Sequence, residues 1–212
     1  MLLISSTFVY INSESVNDAI SSTVESRNAN ETPLVGLAEE EFWPVLRVSF
    51  PAKPFPNSQL GVLFEGNNSA QQYISEMSGG DSQLTTTIVG ETWASPYSES
   101  HWGKDSETER DTGADSGGAR ELAREAIIST FQDQDISQWD LDGDFIVDRL
   151  LILHSGQAQE EGGPSTSIWS HFSAFYEPVE VGKYTFEHYT MASVHGGLGV
   201  LIHEMLHQMG AV

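Results

Sequence analysis

Three residues near the C-terminal end of the sequence have the types and spacing to hold a metal and to move a proton beside it. His203, Glu204 and His207 form an H-E-x-x-H. On a helix, positions i and i+4 lie one above the other on the same face, so both imidazoles can reach a single ion. Zinc suits the pair: it binds imidazole nitrogen well, and a catalytic zinc site keeps one position for water. Glu204, next to the first histidine, then stands beside that open position as a base for the water's proton. Leu198, Leu201, Ile202, Met205, Leu206 and Met209 surround the histidines and predict a helix buried on most sides. In such surroundings two imidazoles and a carboxyl are costly unless something pairs with them, and a metal is the simplest partner.

A second cluster suits a harder cation. Asp140, Asp142, Asp144 and Asp148 alternate with other residues around Gly143 and bring several oxygens toward one point. Calcium takes six to eight such ligands. The spacing is not that of an EF-hand, because Gly143 precedes the third acidic position and the twelfth position is Leu151. The alternative is a solvated acidic turn. The remaining histidines, His101, His154, His171, His188 and His195, have no helical spacing to His203 and read as structural or exposed groups, any one of which can support the site.

The elements that must position these groups are legible in outline. Gly196-Gly197 opens the helix and Gly210 closes it in the left-handed conformation that glycine tolerates. H-E-x-x-H-x-x-G opens the metzincin pattern, in which the chain turns at the glycine and returns a third ligand. That ligand falls ten residues after His203, one beyond Val212, so the sequence reads as a fragment of a longer protein. Lys183 to Ala192 reads as a strand with Tyr184, Phe186, His188 and Thr190 on one face. As the strand before the active-site helix, it is placed to form the edge of a cleft and to pair with substrate backbone. Further strands are expected over Val45–Phe50, Leu84–Val89, Val147–His154 and Ser167–His171, and helices over Ala70–Met77 and Ala119–Phe131, the second capped by Asp115 or Ser116. Residues 90–118 form a long polar, aromatic-bearing loop of a kind that is usually functional or mobile.

Composition narrows the class. The sequence has 31 Asp and Glu against nine Lys and Arg, a net charge of −22, which argues against nucleic acid and anionic membrane surfaces as partners and fits calcium binding or a secreted protein in salty surroundings. It has no Cys, so disulfides and thiolate metal sites are excluded. No run reaches the apolar length of a membrane span. Residues 1–42 read as a flexible leader or propeptide-like segment, and residues 43–212 as the N-terminal part of a catalytic domain. Met1 to Tyr10 lacks the basic start of a signal peptide and reads as the clipped end of one or as a disordered or artificial start.

Four blocks, in order, carry a family resemblance: VLRVSFPAKPF from Val45, DLDGDFIVDRLLILHSG from Asp140, IWSHF from Ile168, and GGLGVLIHEMLHQMG from Gly196. Together they resemble the immune inhibitor A family of secreted bacterial and archaeal metallopeptidases. The resemblance implies a zinc endopeptidase acting on proteins or peptides, with an α/β, metzincin-like fold and often bound calcium. It implies His203 and His207 as zinc ligands, Glu204 as general base, an Asp just past Val212 as third ligand, and Asp140, Asp142, Asp144 and Asp148 as calcium ligands. Two features depart from the family: Leu206 stands where a glycine is usual, and the C-terminal subdomain that would wall the cleft is missing. The rival readings are a calcium-stabilised binding or adhesion domain with a relic H-E-x-x-H, and a zinc hydrolase acting on something other than peptides. Substrate preference and oligomeric state are not encoded in these motifs.

Overall fold

Strands and helices follow one another along the chain in the order β1 (Glu40–Ser49), α1 (Leu60–Phe64), α2 (Ala70–Met77), β2 (Gln83–Ile88), a short β3 (Trp93–Ala94), α3 (Glu99–Trp102), α4 (Gly118–Phe131), β4 (Leu151–His154), β5 (His171–Val181), β6 (Tyr184–Ser193) and α5 (Leu198–Gln208). The structure is a computed structural model that describes residues 33–113 and 116–211. The leader expected over residues 1–42 lies, up to residue 32, outside the described residues, as does Asp115. Glu40 and Glu41, read with the leader, are instead the first residues of β1.

All six strands join one sheet in the order β2-β1-β4-β6-β5, with β3 extending the pairing along the end of β1. Every pairing is parallel except β5 with β6. Parallel strands are covered on both faces, which is why β4 reads as an unbroken apolar run rather than an alternation. Alternate residues then divide between two cores. Leu46, Val48, Phe50 and Ile152 pack with α4. Trp43, Val45, Leu151 and Leu153 pack with α2 and α5. The sequence predicts this α/β architecture.

Local details differ from expectation for physical reasons. Ser167 to Ser170 is not a strand: the Ile168 N–H is taken by Glu99 and the Trp169 N–H by Asp111, side-chain acceptors that replace a ladder. His171 instead begins β5, which runs on to Val181. Residues before Leu151 do not extend β4 but tie to β6, through Val147 N–H to Thr185 O at 2.9 Å. The expected alternation along β6 is also interrupted. Phe186, Tyr189 and Met191 all enter the α4-side core, and the break falls where the β5–β6 register shifts between the Ala174 and Val179 pairs. The loop expected over residues 90–118 contains β3 and α3. Gly118 opens α4 at φ +68, and a Cβ there would lie 1.7 Å from Asp111 O, so only glycine fits.

Candidate active site

Helix α5 carries the two imidazoles, and the way it ends fixes one of them. Gly210 has φ +86, as the sequence predicts. Ala211 N–H returns to Leu206 O and Gly210 N–H to His207 O, both at 3.0 Å, the paired bonds of a Schellman cap. The cap brings Ala211 O within 3.0 Å of His207 Nδ1. With Nδ1–H donated there, the lone pair of His207 sits on Nε2, as a metal ligand requires. His207 Nε2 lies 3.2 Å from His203 Nε2. Two nitrogens bound at 2.0–2.1 Å to one tetrahedral zinc stand about 3.3 Å apart, so the pair fits a shared ion.

One sequence argument for that ion fails. The helix buries Leu201, Ile202, Met205 and Met209, but the His203 side chain is 67% exposed. An imidazole in water needs no partner, so burial cost does not call for a metal here. The convergence of the two Nε2 atoms carries the case instead.

Glu204 is held from the sheet. Its Oε2 accepts the Phe172 backbone N–H at 2.9 Å, and its Oε1 lies 4.0 Å from His203 Nε2. Burial raises its carboxyl above the ordinary value, against the pull of His203 and the Phe172 N–H. Phe172 belongs to β5, and this corrects the expected edge: β6 lies inside the sheet, between β4 and β5, and β5 is the strand at the sheet's edge. A backbone amide leaves no signature in a sequence, so nothing marked Phe172 in advance.

Beyond Phe172, Arg120 Nε donates to Ala174 O at 2.9 Å and Arg124 donates to Glu177 O, pinning the irregular part of β5 to α4. On the α4 side of β5 lies a cavity of about 550 Å³ lined by Trp169, His171, Tyr176 and Tyr189 among others. The Arg110 guanidinium stacks on Trp169 at 3.6 Å and that of Arg120 on Tyr176 at 3.9 Å. Asp111 at its wall is pushed up to about 7 by burial, with Asp105 and Glu160 adding to the effect against the Trp169 N–H.

The acidic loop divides its four aspartates. Asp140, Asp142 and Asp148 each offer an oxygen within 4.8 Å of one another. Asp144 is not in that group; its carboxylate accepts the Ile146 N–H at 2.8 Å. Asp140 accepts the N–H groups of Gly143 and Phe145, which wraps the loop around it. Burial, helped by Asp142 and Asp144 and opposed by the Leu141 N–H, pushes the Asp148 carboxyl up to about 6. Of the other histidines, His154 is fully buried, His171 bonds Tyr189 Oη at 3.0 Å, and His101 stacks on Tyr97.

Comparison with known proteins sets this geometry in a class. The family model described as Immune inhibitor A peptidase M6, catalytic domain, matches residues 55–212. Most of the chain thus matches a peptidase catalytic-domain model. The chain belongs to the immune inhibitor A peptidase M6 family. Immune inhibitor A of Bacillus thuringiensis subsp. alesti is 28% identical to it over 170 residues, covering 66% of this chain and 24% of that protein. The chain thus spans about a quarter of that relative's length. Among the described residues no helix is long and apolar enough to cross a membrane.

Proposed function

We propose that the chain forms the catalytic-domain portion of a secreted, zinc-dependent endopeptidase with a metzincin-like fold. The observation that carries the proposal is the 3.2 Å approach of His203 Nε2 and His207 Nε2 on a helix whose Glu204 is oriented by the edge strand. His203 and His207 hold the ion, with a third ligand proposed from the residues that follow Val212. Bound zinc supplies a Lewis acid for water and for the scissile carbonyl. Glu204 takes the proton of the attacking water while the Phe172 N–H keeps its other oxygen in place, and then passes that proton to the departing amine. The outer edge of β5 is the surface against which the substrate backbone lies.

Asp140, Asp142 and Asp148, with Asp144 at the rim, are proposed to hold a structural calcium. A carboxyl raised by burial and by like-charged neighbours, as Asp148 is, is returned to the ionised form by a cation. Calcium is expected to raise the melting temperature, and Asp148→Asn to abolish that response; an unchanged melting curve on adding calcium would remove this part of the reading.

The main test measures zinc content and casein hydrolysis on one sample of the protein extended past Val212 in its natural sequence. About one zinc per chain and hydrolysis abolished by chelator are expected. Calcium without zinc, and no hydrolysis, would favour the adhesion-domain reading.

A further inference from the structure

We propose that a buried ion pair remote from the cleft, Arg149 with Glu41, positions the last turn of α5 and so sets the approach of His207 to His203. The inference rests on reading those two histidines as metal ligands. Arg149 and Glu41 are both 0% exposed, and the guanidinium binds the carboxylate twice, through Nε at 2.7 Å and Nη2 at 2.9 Å. Such a pair adds little stability over apolar side chains of the same volume, because desolvation offsets the attraction. Its use lies in what it fixes.

Arg149 Nη1 donates to Gln208 O at 3.3 Å and to Asp148 O at 3.2 Å. Gln208 O is one of the terminal helix carbonyls that have no partner within the helix, and a cation there also complements the helix dipole. The Gln208 side chain is fully buried and tied by both polar atoms of its amide: Nε2 donates to Asp148 O at 3.2 Å and Oε1 accepts from Thr190 Oγ1 at 2.9 Å. Thr190 Oγ1 also lies 3.3 Å from Glu204 O, one turn earlier. The residue directly after His207 is therefore clamped by its carbonyl and by both polar atoms of its side-chain amide, to the segment just before β4 and to β6. Glu41 anchors the far end of the clamp, accepting the Ala38 N–H and Trp43 Nε1–H, each at 2.8 Å. None of these groups reaches the Nε2 atoms, so they are positioning residues.

The test uses the full-length protein with cobalt(II) in place of zinc, its visible absorption reporting affinity and coordination. Glu41→Leu combined with Arg149→Met replaces the pair by apolar side chains, a change that buried pairs commonly tolerate. The double variant is expected to stay folded in chelator, with a smaller loss of melting temperature than Arg149→Ala alone. It is also expected to bind cobalt about 10–100-fold more weakly, the usual loss when an outer support of a metal ligand is removed. Thr190→Val, which removes one hydroxyl without changing shape, is expected at the low end, about 10-fold. Wild-type cobalt affinity in a folded double variant would overturn the proposal. So would wild-type affinity in Thr190→Val should the double variant not fold. Absence of cobalt binding by the unsubstituted protein would instead sink the metal reading of His203 and His207.

Discussion

Glu204 is tied by one oxygen to the Phe172 N–H and turns the other toward His203, 4.0 Å away, a division that suits the proposed proton carrier. Glu204→Gln keeps an acceptor for the Phe172 N–H and removes the base. Zinc content is expected to stay at the wild-type level while hydrolysis falls by about 10²–10⁴-fold; retained turnover in the zinc-loaded variant would refute the role. Gly210 makes a second residue-level test. At φ +86 it has nothing within 4 Å of a built Cβ, so Gly210→Ala meets no clash and costs only the left-handed backbone, about 1–2 kcal/mol in urea unfolding. A loss well beyond that would mean the cap carries more than its backbone geometry. The imidazoles, Glu204 and Gly210 are legible from sequence because their chemistry is a matter of side-chain type at fixed helical spacing. Phe172 is not, because its contribution is a main-chain amide common to nearly every residue.

The elements show where spacing stops being informative. Helix α2 is found over the expected residues because Ser69 Oγ caps it, accepting the Gln72 N–H at 3.2 Å. Strand β4 is found from its apolar run. The rank of β5 and β6 in the sheet is another matter: both are ten or eleven residues of mixed polarity, and which one lies inside depends on what pairs with β4. The wall opposite α5 offers a packing test. Phe131 of α4 is fully buried, edge-on to Trp139 and tilted against Phe186, so Phe131→Ala is expected to cost about 3–5 kcal/mol by denaturant unfolding. Removing only one partner of the clamp strands a buried charge, and Arg149→Ala is expected to lose about 3–5 kcal/mol. The apolar double replacement should be much milder, a contrast that a double-mutant cycle reads directly.

For the whole molecule the titrating groups pull in opposite directions. Burial, with the charges of His171, Lys53 and His195, lowers His154 to about 3 from an ordinary 6.5. Below pH about 6.5 the unfolded chain therefore takes a proton that the folded one refuses, and this share of stability is lost as pH falls toward 3. Asp111 and Asp148, raised to about 7 and about 6, do the reverse: the folded state keeps protons that the unfolded state releases, and stability is gained as pH falls through those values. Comparing wild type with His154→Gln isolates the first effect. Between pH 7 and pH 4 the urea midpoint of wild type is expected to drop relative to the variant; a constant difference would show that His154 is not held neutral by the fold. The net charge of −22 adds a repulsion that salt screens.

The sequence by itself determined the α/β class, the helix that carries His203, Glu204 and His207, its glycine stop, the acidic loop and the family, because each rests on local periodicity or on residue types at short spacing. The tertiary structure alone decided that β5 rather than β6 is the edge strand, that Phe172 orients Glu204, that Asp144 stands apart from the other three aspartates, and that Glu41, Arg149 and Gln208 meet. These facts depend on residues far apart in the chain, Glu41 and Arg149 being separated by 108 positions, and contacts of that kind are set by how the sheet and its two cores assemble.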